Sequence, residues 1–161
     1  MKMYLKNTAL VLGLSALSLF AAPKDFIEKG QHLHVKPEHL KAHEELEITV
    51  WAKSPQLFNP TNMDTDSKGR IWLTEGVNYR KKNIDRRPEG DRVVVLEDSN
   101  GDGQADKSHT FVQDKELISP LGIAVFDNKI IISQPPNLLV YTDVNRDLKF
   151  DPQVDTKEIF L

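Results

Sequence analysis

Asp98-Ser-Asn100-Gly-Asp102-Gly103-Gln-Ala-Asp106 sets oxygen-bearing side chains at loop positions 1, 3, 5 and 9, with glycine at 6. Asp143-Val-Asn145-Arg-Asp147-Leu148-Lys-Phe-Asp151 repeats the 1, 3, 5, 9 pattern 45 residues later. Arg92-Val-Val-Val-Leu-Glu97 runs into the first loop and Lys107-Ser-His-Thr-Phe-Val112 leaves it. Leu138-Leu-Val-Tyr-Thr142 and Thr156-Lys-Glu-Ile-Phe-Leu161 flank the second. β-Branched and aromatic runs bounded by Asp, Asn and Gly read as strands joined by turns. The repeat has the length of a propeller blade, about 40–50 residues.

Upstream of each loop lies a hairpin pattern. Asn62–Asp66 turns at Ser67-Lys68-Gly69 into Arg70-Ile-Trp-Leu-Thr74, and Gly122–Phe126 turns at Asp127-Asn128 into Lys129–Ser133. Each unit is therefore predicted as a four-stranded meander, with blade one at 60–113 and blade two at 119–161. Leu46-Glu-Ile-Thr-Val-Trp51 alternates and predicts one extra strand, the outer strand of a closing blade. The expected fold class is all-β: a partial β-propeller of two four-stranded blades plus one extra strand. Trp51, Trp72, Phe126 and Tyr141 are expected to pack between blades.

Trp72 and Ile131 correspond at an offset of 59, so the first unit carries 14 extra residues between its second and third strands. With Arg92, the stretch from Gly76 holds six basic and three acidic residues. In a meander the turn between strands two and three lies opposite the turn between three and four. The basic loop and the acidic loops should therefore occupy opposite ends, which makes calcium structural. Asp98, Asn100, Asp102 and Asp106 are the expected Ca2+ ligands, because carboxylates suit a hard cation and Gly103 permits the bend. A polar turn is the competing reading. In the second loop Leu148 replaces that glycine and Arg146 intrudes, so a degenerate copy is expected. Glu75, Asn78, Tyr79, Arg80 and Arg92 are the candidate residues for an anionic cofactor, since Arg pairs bidentately with carboxylates. Against this stands a solvated loop whose charges pair with Asp85, Glu89 and Asp91. Gln134 fills the slot equivalent to Glu75. His39 and His43 stand i, i+4, but no Glu follows as in His-Glu-x-x-His and no third ligand is evident, so a surface segment is expected.

The 161 residues suit one domain, and the formal charge of −3 argues against a nucleic-acid partner. The chain has no Cys, which excludes disulfides, thiol chemistry and Cys-based haem attachment. Lys2 and Lys6 precede an apolar run, Thr8–Phe20, and Ala21-Ala22 supplies small residues. This reads as a signal peptide over 1–21, containing the signal helix, with cleavage after Ala21. An uncleaved anchor is the alternative. Export to the periplasm or the extracellular space follows, with no membrane span once the signal is cut. Residues 22–45 read as a linker.

Leu46 to Trp51, Asn59–Asp64, Gly69–Arg80, Arg87–Arg92 and the acidic loop resemble, as a set, one family. It is the N-terminal propeller of the bacterial proteins described as membrane-bound dehydrogenases, similar in turn to soluble quinoprotein glucose and sorbosone dehydrogenases. The resemblance covers roughly residues 44–161. It implies a propeller of about six or seven blades, pyrroloquinoline quinone (PQQ) as cofactor, and a sugar or alcohol as substrate. This chain holds two blades, lacks a haem motif and offers no match for the catalytic His of those relatives. A truncated propeller is therefore expected, completed by the rest of the propeller or another chain and not catalytic alone. A calcium-stabilised, non-enzymatic module for glycans or proteins is the alternative.

Overall fold

The computed structural model describes residues 37–79 and 87–160. The predicted signal peptide, most of the linker and Arg80 lie outside the described residues. Eight strands follow in chain order: β1 (Pro60–Thr65), β2 (Ile71–Glu75), β3 (Arg92–Glu97), β4 (Lys107–Gln113), β5 (Gly122–Phe126), β6 (Lys129–Gln134), β7 (Asn137–Thr142) and β8 (Thr156–Ile159). They form two four-stranded antiparallel sheets, β1-β2-β3-β4 and β5-β6-β7-β8. The fold is all-β, two propeller blades in sequence. Among the described residues the only helical element is a 3₁₀ turn at Pro37–His39.

Burial along the strands shows how the sheets are covered. In β3 the four residues Val93–Leu96 are all buried, as expected for a strand packed on both faces. In β6 and β7 buried and partly exposed residues alternate, as in a sheet packed on one face. The core between the sheets joins Trp72, Val93, Val95 and Phe111 of the first to Ile130, Ile132, Leu139 and Tyr141 of the second. Phe111 stands edge-on to Trp72 at 5.1 Å and to Tyr141 at 6.3 Å between centroids. Tyr141 meets Phe150 at 5.0 Å in the same manner. Such T-shaped pairs set the positive edge of one ring on the negative face of the next. Asp64 in β1 accepts from the Val125 N–H in β5 at 2.7 Å, a polar tie between the sheets.

The other face of the first sheet, Leu73, Val94 and Leu96, is covered by Trp51, Ala52 and Leu57. Leu46–Trp51, expected as a strand, forms no ladder. A strand needs a neighbour to satisfy its backbone groups, and the described residues provide none alongside it. The segment lies instead as a strap, tied by the Ala105 N–H to the Trp51 carbonyl at 2.8 Å and by the Ser108 hydroxyl to the Gln56 carbonyl at 2.8 Å. Trp72 and Tyr141 pack between the sheets as expected, whereas Phe126 is 75% exposed. Ile123 and Val125 of β5 pack on the inter-sheet core, so alternation turns Phe126 to the opposite face of the second sheet.

Candidate functional site

The loop between β2 and β3 spans 16 residues and its counterpart between β6 and β7 spans two, Pro135-Pro136, so the 14-residue insertion falls where the offset places it. It sits at one end of the sheet, and both acidic loops sit at the other.

Glu75 ends β2 fully buried. Arg92, opening β3, grips it bidentately, Nε to Oε2 at 2.7 Å and Nη2 to Oε1 at 3.0 Å. Arg87 donates to Oε2 from the insertion, and the Phe58 N–H donates to Oε1 at 2.7 Å. Both guanidiniums lie over the Phe58 ring, at 5.8 and 5.7 Å from its centroid, adding a cation–π contact. Arg92 reaches on to the Thr110 hydroxyl at 3.1 Å. The sequence reading allotted Glu75 and Arg92 to a ligand and sought the basic partners' counter-charges in Asp85, Glu89 and Asp91. In the fold Glu75 itself is the counter-ion of Arg87 and Arg92.

Asn78 is buried and clamps the insertion. Its amide donates to the Arg87 carbonyl at 2.9 Å and its Oδ1 accepts the Arg87 N–H at 3.0 Å. Its own N–H donates to Asp91 at 3.1 Å. Asp91, fully buried, also accepts the Ser119 N–H at 2.7 Å. Burial pushes the Asp91 carboxyl above its ordinary value, against the lowering effect of these amides and of Arg87. Tyr79 is partly exposed at the mouth of the loop. Four of the five cofactor candidates thus belong to one loop end, three of them as its internal scaffold, and the fifth, Arg80, is outside the described residues. The Gln134 slot keeps the structural part of the Glu75 role: Gln134 accepts the Ile118 N–H at 2.8 Å where Glu75 accepts that of Phe58. Each holds the segment that enters its sheet.

At the opposite end, Asp98 accepts the N–H groups of Gly101 at 2.8 Å, Asp102 at 3.2 Å and Gly103 at 2.9 Å. Asn100 Oδ1 accepts the Asp102 N–H at 2.9 Å, and its amide donates to the Asp102 carboxylate at 3.1 Å. Asp106 turns to Ser99, accepting its N–H and its hydroxyl at 2.6 Å each. Those two bonds hold the Asp106 carboxyl below the usual range. The second loop reproduces this network: Asp143 accepts from Asp147 and Leu148, and Asn145 from Asp147. Position 9 differs. The residue that accepts the N–H after the first Asp, as Asp106 does, is Asp155, not Asp151; the Val144 N–H reaches it at 2.8 Å. The second loop is four residues longer, since Glu97 pairs with Lys107 but Thr142 with Thr156. Among the described residues no three His, Cys, Asp or Glu side chains converge tightly enough to hold a metal by themselves. His39 and His43 lie in the exposed segment before the strap.

Stacked four-stranded meanders with an acidic turn at one end and an arginine-rich loop at the other define a blade-repeat protein. Residues 34–160 match the family described as a domain of unknown function, DUF7133, and the chain belongs to that family. No curated protein and no solved structure matches the chain.

Proposed function

We propose that this chain is the N-terminal propeller portion of an exported, quinoprotein-like dehydrogenase acting on a sugar or alcohol. In this reading the 76–92 loop end meets the anionic cofactor, PQQ, and the chain does not complete catalysis alone. The supporting observation is the pair of guanidiniums at Glu75. Two guanidiniums share the one Glu75 carboxylate, with Asp91 a further counter-charge beside Arg87, and their side chains remain 13% and 20% exposed. A ligand carboxylate would be drawn there by charge-assisted hydrogen bonds. Glu75 has both oxygens engaged, so a base for substrate oxidation must come from elsewhere in the propeller. Titration of the chain with PQQ, followed by tryptophan fluorescence, tests the reading. Saturable quenching that Arg80→Ala weakens supports it; no quenching at low salt overturns it.

The acidic loop favours a second reading, a calcium-stabilised module that binds glycans or proteins without catalysis. Asp98, Asn100 and Asp102 lie together on one turn, and each retains oxygen lone pairs beyond the amides it accepts. A Ca2+ ion would be held by these three, with Asp106 fixing the loop through Ser99. Thermal unfolding with and without calcium decides this. A calcium-dependent rise in Tm, lost in Asp98→Asn, supports it; an unchanged Tm overturns it.

A further inference from the structure

Asn100-Gly101 is the one place in the chain where glycine follows asparagine. In such a pair the glycine nitrogen reaches the asparagine side-chain carbonyl with no Cβ in its way. Three hydrogen bonds of the loop fall on the atoms this attack involves. The Asp102 N–H donates to Asn100 Oδ1 at 2.9 Å, the oxygen that takes up negative charge when the carbonyl is attacked. The Gly101 N–H, whose proton must leave, donates to Asp98 Oδ1 at 2.8 Å. Asn100 Nδ2, the nitrogen that departs, donates to Asp102 Oδ2 at 3.1 Å, where a carboxylate favours its taking up a proton. Asn100 and Gly101 are both exposed, so water has access to them. Gly101 stands at φ 75°, and a Cβ there would meet nothing within 4 Å, so no packing locks the pair. The second loop supplies the comparison. Asn145 makes the same two bonds with Asp147, but Arg146 follows it, and a side chain on that residue crowds the nitrogen.

We propose that Asn100-Gly101 is a site of spontaneous deamidation in the folded chain, with Asp98 and Asp102 assisting the step. The Gly101 nitrogen adds to Asn100 Cγ and gives up its proton toward Asp98. The Cγ–Nδ2 bond breaks, and Nδ2 leaves as ammonia, carrying one proton in place of the one Gly101 lost. The product is a five-membered succinimide. Water then opens it at either carbonyl, leaving an aspartyl or an isoaspartyl residue at position 100. The balance is one water in and one ammonia out, with no oxidant or reductant. Nucleophile and electrophile belong to neighbouring residues, so no entropy is spent in bringing them together. The isoaspartyl product runs the backbone through the former side chain and is one methylene longer. That shifts Gly101 and Gly103, whose N–H groups Asp98 now holds together. The same loop carries Ala105, which bonds the Trp51 carbonyl of the strap, so the change is felt there too. The inference rests on the loop's own bonds and on no metal.

Incubation of the full chain at mildly alkaline pH, with a chelator to keep metals off the loop, tests it. Peptide mapping by mass spectrometry reads the amide-to-carboxyl mass gain at each asparagine, and isoaspartyl methyltransferase labelling reads the lengthened backbone. Asn100 should convert first, and Asn145 about tenfold more slowly or less. Gly101→Ala should slow conversion at Asn100 by about tenfold or more, with the circular dichroism of the sheets unchanged. Asp98→Ala should slow it as well. An unchanged or faster rate in Asp98→Ala overturns the proposal, since the Asp98 bond would then restrain the pair instead of assisting it. Equal rates at Asn100 and Asn145 overturn it too. So does conversion of Asn100 in the urea-unfolded chain but not in the folded one, because the fold would then protect the pair.

Discussion

Asp66 shows how one carboxylate organises a hairpin. It accepts the N–H groups of Lys68 at 2.9 Å and Arg70 at 3.1 Å, the Arg70 guanidinium at 2.6 Å and the Trp72 indole N–H at 2.9 Å. Burial alone would raise its carboxyl, but the Trp72 and Arg70 bonds outweigh that and hold it below 3.8. Asp66→Ala should cost about 2–4 kcal/mol in urea unfolding, since charged hydrogen bonds are lost and a buried indole N–H is orphaned. Because the folded carboxyl is the stronger acid, its contribution is complete above the unfolded value and drains away as pH falls through the folded one. Acid unfolding below pH 3.8 should therefore be shallower in Asp66→Ala than in the parent chain. Glu75 is the harsher case. Glu75→Gln leaves two guanidiniums at the loop end without their counter-ion and should cost about 3–5 kcal/mol, the scale for breaking a buried ion pair. A loss under one kcal/mol would show that solvent, not Glu75, compensates those arginines. The charge of the insertion drew Arg92, and Glu75 beside it, into the set of candidate residues. It did not expose their mutual pairing, because that pairing depends on β2 and β3 lying side by side, which no local spacing encodes.

At the level of loops and strands, the acidic repeat was legible because turn chemistry is local. Asx-type bonds from positions 1 and 3 to the following amides recur in both copies. β-Branched runs bounded by turn residues located the strands of both sheets, the 45-residue period tied the third strand of one unit to that of the next, and the 59-residue offset located the insertion. What stayed hidden was position 9, since Asp151 preserves the spacing while Asp155 preserves the bond. The second loop also keeps the backbone of the first without its glycines. Gly101 and Gly103 have φ of 75° and 84°, and Arg146 and Leu148 stand at 60° and 65°. Left-handed conformation costs a residue with a Cβ about 1–2 kcal/mol. At these positions Arg146 makes two exposed bonds to Asp127, and Leu148 packs on the inter-sheet core. Space decides what glycine does elsewhere. A Cβ at Gly103 meets nothing within 4 Å, whereas one at Gly90 would lie 1.7 Å from the Asp114 carbonyl oxygen. Gly103→Ala should thus cost only its conformational term, about 1–2 kcal/mol. Gly90→Ala must push apart the 87–91 and 114–117 segments, with a loss several times larger. Equal melting temperatures for the two variants would refute the close approach. The strap escaped prediction for a plain reason: alternation in Leu46–Trp51 marks a segment with one apolar side, and a lone cover on a sheet has that property as surely as a paired strand.

Across the whole molecule, the distribution of apolar contacts fixes cooperativity. Blade-repeat proteins gain stability from the interface between neighbours as much as from each unit. Here Phe111, from the outer strand of the first sheet, touches Trp72 on its own side and Tyr141 and Phe150 on the other. No sheet has a private core of comparable aromatic content, so neither should outlast the other when the interface is loosened. Phe111→Ala removes a buried ring that serves both sheets and should destabilise by about 3–5 kcal/mol, the range for such truncations. The consequence that tests the shared core is the form of the unfolding curve. If the sheets depend on one interface, tryptophan fluorescence, which reports Trp51 and Trp72 of the first half, and tyrosine near-ultraviolet dichroism, weighted toward Tyr141 of the second, should shift together to one lower midpoint. Two separated transitions in Phe111→Ala would mean that each sheet carries its own stability, and the inter-sheet aromatic cluster would then be a contact between independent units.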